Sequence, residues 1–254
     1  MIPSTDLSGK VAVVTGGSRG IGRAMVQGFA EAGARVVIAS RKLDRCQVAA
    51  AEVEASTGRQ ALAVRCHVAS WGDCDALVAA TYETFGRCDV FVNNAGMSPR
   101  YGSLADITEE YYDKVHGVNL KGPFRLALEF GRRMAEADGG SIINVSTIGS
   151  LRPGKEEIVY ACAKAGLNAL TVAVAEAFGP KVRCNTILPG AVMTDIADAW
   201  PDEMTARLEV DAPLGRPGYP EDFVGPALWL ASSASAFVTG EHIRVDGGLY
   251  RQMP

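Results

Sequence analysis

An α/β fold on an open, parallel sheet is what this sequence predicts, and three observations carry the expectation. Short apolar runs rich in Val, Ile and Ala recur along the chain, several of them apolar throughout, as strands covered on both faces are. Longer stretches of helical periodicity lie between them. No linker, internal repeat or low-complexity segment divides the 254 residues, and α/β folds of this length form around one core.

The strand candidates, in order, are Val11 to Thr15, Arg35 to Ala39, Ala61 to Cys66, Val90 to Val92, Ser141 to Val145, Val182 to Leu188 and His242 to Val245. The helical stretches between them are Ile21 to Ala32, Asp44 to Ser56, Asp73 to Phe85, Leu120 to Ala135, Ala161 to Ala177 and Glu221 to Ala231. Their alternation implies right-handed crossovers with helices on both faces of the sheet. One stretch breaks the rhythm. From Met193 to Tyr219 the chain turns polar and carries Pro201, Pro213 and Pro217. Within a single domain spanning 1–254, this reads either as a substrate-lid insertion at the carboxyl end of a strand or as a surface excursion.

Composition narrows the function. Hydrophobic residues make up 48% of the chain and charged ones 21%, as in a globular protein. The net charge of −4 offers no basic footprint for nucleic acid, and no Lys/Arg run suggests a membrane surface. No apolar run approaches the roughly 18 residues of a membrane span, and the first residues lack a leader pattern, so a cytoplasmic location is the default expectation. Cys46, Cys66, Cys74, Cys88, Cys162 and Cys184 are scattered without metal-ligand spacing, so no metal site is expected and the thiols read as small apolar fillers.

The first strand candidate runs straight into Gly16-Gly17-Ser18-Arg19-Gly20-Ile21-Gly22 and then a helix. Glycines at 16, 20 and 22 differ in spacing from the common dinucleotide fingerprint, but the requirement is shared. Backbone must approach a pyrophosphate closely, and a helix N-terminus must face it. Gly16, Ser18, Arg19, Gly20, Ile21 and Gly22 are therefore the candidate phosphate cradle. NAD-binding folds usually end the second strand in an acidic residue; here Ser40-Arg41 stands there. Arg41, helped by Arg19, can face the 2′-phosphate of NADP(H), which is favoured over NAD(H); otherwise both are solvated arginines.

Tyr160 and Lys164 stand one helical turn apart. An ammonium beside a phenol favours the phenolate; bringing a tyrosine from pKa ~10 to near 7 needs roughly 4 kcal/mol. Tyr160 can then act as general acid in reduction and general base in oxidation. Alone, Y-x-x-x-K says little.

The ordered motifs around it resemble the short-chain dehydrogenase/reductase family from about Leu7 to Leu249: T-G-x-x-x-G-I-G at Thr15 to Gly22, Asn93-Asn94-Ala95-Gly96, Asn119 within N-L-K-G, Tyr160 with Lys164, Pro189-Gly190 with Thr194, and Val245-Asp246-Gly247-Gly248. The resemblance implies a seven-stranded Rossmann sheet, a homodimer or homotetramer, and a small carbonyl or alcohol substrate. It implies that Asn94, Ala95 and Gly96 line the cofactor, with His67 and Val68 beside the adenine. Asn119 would hold a helix kink and a water of a proton relay. Lys164 would bind the nicotinamide ribose, and Pro189, Gly190, Val192 and Thr194 would cover the nicotinamide.

Two positions depart from the family pattern. Where the family places a carbonyl-polarising serine thirteen residues before the tyrosine, this chain has Thr147, with Ser146 just before it. Thr147 holds the ungapped position; one extra residue in the following loop would restore Ser146. His67 replaces a frequent aspartate, and no chemical role is expected of it. The Leu214-Gly215-Arg216-Pro217 stretch is shared by 3-oxoacyl carrier-protein reductases and by sugar, polyol and ketone dehydrogenases of the family, so the substrate stays open. The pocket is expected to be shaped by 97–104, by 150–159 with Lys155, Glu156 and Glu157, and by the stretch after Thr194. Those charges either point to a polar substrate or lie in solvent. The expected activity is NADP(H)-dependent oxidoreduction of a carbonyl/secondary alcohol; the alternatives are an NAD-dependent sugar or polyol dehydrogenase and a non-catalytic nucleotide-binding regulator of the same fold.

Overall fold

The structure, a computed structural model, describes residues 4–194, 208 and 210–250. Seven strands form one sheet: β1 (Val11–Thr15), β2 (Arg35–Ser40), β3 (Ala61–Arg65), β4 (Val90–Asn93), β5 (Gly140–Val145), β6 (Val182–Pro189) and β7 (His242–Val245). All pair in parallel in the order β3-β2-β1-β4-β5-β6-β7. The order reverses between β1 and β4, which opens a crevice at the carboxyl ends of those strands, where doubly wound sheets bind nucleotides.

Among the described residues the α-helices are α1 (Gly20–Glu31), α2 (Leu43–Thr57), α3 (Trp71–Phe85), α4 (Glu109–His116), α5 (Gly122–Glu136), α6 (Ile158–Phe178) and α7 (Val224–Ala231). They divide between the two faces, and β1 shows why its residues are apolar without alternation. Val11 and Val13 pack with α3, α5 and α6 through Leu77, Phe130 and Leu167. Ala12 and Val14 pack with α1, α2 and α7 through Phe29, Val53 and Ala227. Phe130 is fully buried and stacks on Phe91 at 4.4 Å between centroids. Cys46, Cys66, Cys74, Cys88 and Cys184 fill these two cores, while Cys162 is exposed.

Three differences from the sequence reading have physical causes. Helix α4 has no counterpart among the periodic stretches, because Val115 is its one buried residue and no apolar stripe marks it. It forms through its caps and charges: the Thr108 hydroxyl accepts from the Tyr111 N–H at 3.1 Å, with Glu109 and Glu110 in the first turn and Lys114 in the last. The helix containing Tyr160 begins at Ile158, upstream of the apolar run that suggests it. Over its 21 residues it is long and apolar enough to cross a membrane by length and composition, which corrects the expectation that no such run exists. Its apolarity is spent in the core, where Leu167 and Val174 are buried against the sheet.

Candidate functional site

A cleft of about 1450 Å³ opens at the carboxyl ends of the strands. Every catalytic or cofactor-binding residue nominated from the sequence lines it except Gly22 and Asn119, which lie directly behind its wall; of the expected pocket-shaping stretches, Met97, Arg100, Tyr101, Arg152, Glu156 and Glu157 line it and Lys155 does not. Positive φ at Gly16 (67°) and Gly20 (54°) bends the turn between β1 and α1 in a way L side chains resist. A Cβ on Gly22 would collide with Asn94 Nδ2 and lie 2.5 Å from the Gly16 carbonyl oxygen. Asn94 is a clamp as well as a lining residue. Its Nδ2 donates to the Thr15 carbonyl at 2.9 Å, and the N–H groups of Asn94 and Ala95 both donate to Thr15 Oγ1.

This turn fits a pyrophosphate. The Arg19 N-cap makes no side-chain hydrogen bond to α1, so the helix presents its first N–H groups to the cleft. At the end of β2, Ser18 Oγ donates to Ser40 Oγ at 3.2 Å, and Arg41, Lys42 and Arg45 surround the pair on the cleft wall. Lys42 and Arg45 escaped the sequence reading because they belong to the start of α2; the strand-end rule stops at Arg41. Three cations thus line the cleft at this strand end, while Asp44 of the same helical turn is not among the lining residues. His67 has a structural role: its N–H donates to Asp73 Oδ2 at 2.9 Å, and its Nδ1 accepts from the Ala69 N–H at 3.2 Å.

At the other end, Asn119 sits fully buried in a π-helical turn, Gly117–Lys121, between α4 and α5. Its Nδ2 donates to the carbonyls of Val115 (2.9 Å) and Met97 (2.8 Å), and its Oδ1 accepts from the Met97 N–H at 3.2 Å. The side chain thus holds the irregular turn and the segment after β4 together. Lys164 is 2% exposed and its ammonium donates to the Val145 carbonyl at 2.7 Å. Burial lowers its pKa to about 7, and no described carboxylate offsets that burial. The ammonium lies 5.8 Å from the centre of the Tyr160 ring. Burial, with the charge of Glu157 second, raises the Tyr160 phenol above its ordinary value. Beneath them, Asn93 donates to Asn144 Oδ1 at 2.9 Å and Asn144 to Thr171 Oγ1 at 2.8 Å, a buried polar chain that the motifs do not announce.

Thr147 and Ser146 both line the cleft and make different hydrogen bonds. Ser146 is buried and its hydroxyl donates to the Lys164 carbonyl at 3.2 Å. Thr147 Oγ1 accepts from the Gly149 N–H at 3.1 Å, which leaves its own O–H to donate into the cleft.

The closing motif folds back on the site. The Gly190 N–H donates to the Val245 carbonyl, Asp246 backs Gly190 so closely that a Cβ there would lie 2.9 Å from its Cα, and Asp246 Oδ2 accepts from the Tyr250 N–H. The excursion from 193 to 219 is pinned at its base: Met193 N–H donates to the Gly218 carbonyl, and Arg216 grips Asp222 at 2.6 and 2.7 Å. Residues 195–207 and 209 of it lie outside the described residues. Thr194 and Leu208 line the cleft. So does Tyr101, whose hydroxyl donates to the Lys155 carbonyl at 2.6 Å and accepts from the Ile158 N–H at 3.0 Å, latching the loop after β4 to the start of α6.

These features define a nicotinamide-dependent oxidoreductase fold, and sequence comparison agrees. The profile of the family described as "Enoyl-(Acyl carrier protein) reductase" matches residues 16–250. The chain belongs to the short-chain dehydrogenase/reductase family, oxidoreductases that act on CH–OH groups with a nicotinamide cofactor. It is 43% identical over 248 residues to an L-rhamnose 1-dehydrogenase (NAD(P)(+)) of Azotobacter vinelandii, covering 95% of this chain and 96% of that protein. A short-chain type dehydrogenase/reductase from Mycobacterium marinum superposes with a TM-score of 0.92 at 34% identity, covering 98% of each chain. A structure from Beutenbergia cavernae with bound NADP at low occupancy matches with a TM-score of 0.91 at 35% identity, covering 96% of this chain and 98% of that one.

Proposed function

We propose that the protein transfers a hydride between NADP(H) and the C–OH carbon of a small neutral sugar, with Tyr160 as general acid/base. The observation that carries the chemistry is the buried Lys164 ammonium beside Tyr160, in a cleft whose other end presents an uncapped helix N-terminus and three cations. The relative named L-rhamnose 1-dehydrogenase (NAD(P)(+)) supports a sugar as the substrate class.

When bound, the nicotinamide supplies the hydride acceptor or donor. Gly16, Ser18, Arg19, Gly20 and Ile21, with Gly22 behind them, hold the pyrophosphate; Ser40, Arg41, Lys42 and Arg45 hold the 2′-phosphate. Asn94, Ala95, Gly96, His67 and Val68 line the adenosine half, and Pro189, Gly190, Val192 and Thr194 orient the nicotinamide. Thr147 donates a hydrogen bond to the substrate oxygen. Tyr160 takes the hydroxyl proton in oxidation and returns it in reduction; in the cofactor-free site burial and the Glu157 charge hold its phenol up, against the expected lowering, so the phenolate depends on the Lys164 charge together with the positive ring that a bound nicotinamide would add. Asn119 positions the π turn that supports Lys164 from behind Gly96, where a Cβ would lie 3.1 Å from Asn119 Oδ1 and 3.7 Å from Lys164 Nζ. The 193–219 stretch serves as the lid, which Thr194 and Leu208 on the cleft wall support. Exposed apolar side chains on α5 (Phe124), on α6 (Val172) and beside β7 (Phe237) support a homodimer or homotetramer.

Initial rates with NADP+ across aldoses and polyols, and with NADPH across ketones and 3-oxoacyl thioesters, test the reading. Aldoses are expected to give the highest kcat/KM. A ketone or thioester that exceeds every sugar overturns the substrate class.

A further inference from the structure

Three charged residues, Lys155, Glu156 and Glu157, precede α6, and the fold treats them differently. Lys155 and Glu156 are exposed, Glu156 at the cleft rim, whereas Glu157 is half-buried in the cleft wall, three residues before Tyr160. Its Oε1 rests against Gly149, where any Cβ would collide with it, and Gly149 is two residues beyond Thr147. The carboxylate therefore stands within the reacting end of the cleft, close enough for its charge to be felt at the Tyr160 phenol.

Ordinary structural roles do not account for it. Glu157 occupies the N-cap position of α6, but its side chain caps nothing; the Ile158 N–H is taken by Tyr101 Oη. It has no ion-pair partner among the described residues. Its carboxyl is held above the usual range by burial, and a backbone hydrogen bond at Gly154 opposes that rise. An ionised carboxylate offers about four lone-pair sites. One is used by Gly154, and the remainder are open to whatever fills the cleft.

The surrounding charges say what that is. Arg100 and Arg152 also line the cleft and disfavour a cationic substrate. Glu157 itself disfavours an anionic one beside the reacting carbon. A vicinal pair of hydroxyls satisfies the carboxylate without bringing a charge. We propose that Glu157 is a specificity-determining residue that accepts hydrogen bonds from the hydroxyls next to the reacting C–OH and so selects a neutral polyhydroxylated ring over apolar substrates. The proposal rests on the sugar reading above and names the residue that enforces it.

The test compares an aldopyranose with 2-hydroxytetrahydropyran, a cyclic hemiacetal with the same reacting C–OH and no ring hydroxyls. In Glu157→Gln, which is isosteric, and Glu157→Leu, the ratio of kcat/KM for aldose over hemiacetal is expected to fall about 10- to 100-fold, mainly through KM for the aldose. Melting temperatures check that both variants fold. A wild-type enzyme that oxidises aldoses, with a ratio that stays within about threefold in both variants, overturns the role of Glu157 alone; equal losses on the two substrates do the same, by showing a structural role. A wild-type enzyme that oxidises no aldose overturns the sugar reading and this proposal with it.

Discussion

The two ends of the cleft are built on different principles. The cofactor end is made of backbone: glycines at 16, 20 and 22, an uncapped helix N-terminus, and the Asn94 clamp that ties β4 to the turn after β1. The substrate end is made of side chains on loops, held by the Tyr101 latch and by Asn119 in its π turn. Backbone architecture leaves little freedom for sequence change, which suits a ligand common to a whole family. Side chains on loops can be exchanged one at a time, which suits the part of the reaction that differs between family members.

Removing the ammonium at the junction of the two ends has the largest expected effect. Lys164→Met lowers turnover about 10²- to 10⁴-fold in steady-state assays, because Tyr160 loses the charge that favours its phenolate. The same variant carries a stability signature. The Lys164 pKa falls from an ordinary 10.5 to about 7 on burial, so the unfolded chain binds more protons between those values. Stability of the cofactor-free wild type therefore rises with pH across that window relative to Lys164→Met. Thermal melts at pH 7 and pH 9 read the difference, and its absence would mean that Lys164 is not buried in the free enzyme.

At the cofactor end, Gly22→Ala forces a methyl group into Asn94 and the Gly16 carbonyl. Overpacking of about 1–3 kcal/mol at this turn is expected to weaken NADP+ binding by roughly 10- to 100-fold in fluorescence titrations. The paired change Arg41→Ala with Arg45→Ala is expected to lower the NADP+/NAD+ preference about 10-fold, an effect that shrinks as salt rises. An unchanged preference would return these arginines to solvent. The smallest effect belongs to the substrate end. Tyr101→Phe removes one donor to Lys155 and one acceptor for Ile158, about 0.5–1.5 kcal/mol per bond, and should raise substrate KM severalfold more than it changes NADP+ affinity.

The same division explains what could be read from the chain. All seven strands and the glycine turn between β1 and α1 were legible, because apolar runs and glycine spacing are local signals that survive without a structure. Helix α4 was not, since its stability comes from caps and charges while only Val115 is buried. The latch made by Tyr101, the place of Arg45 and the inward turn of Glu157 were equally hidden; each depends on where a loop or helix start lands against the rest of the chain. Glu157 sat in a charged triplet that composition treats as uniform, and only packing against Gly149 distinguishes it. The proposed preference for Thr147 over Ser146 likewise rests on three dimensions, because it turns on which hydroxyl donates within the protein.

The most direct test of the central claim follows the hydride. An aldose deuterated at the reacting carbon is incubated with NADP+ and either wild-type enzyme or Tyr160→Phe, and the reduced cofactor is weighed by mass spectrometry. Wild-type enzyme should yield NADPH carrying one deuterium, and the variant at least ~100-fold less of it per unit time. NADPH free of deuterium, or a variant as fast as the wild type, would contradict the account.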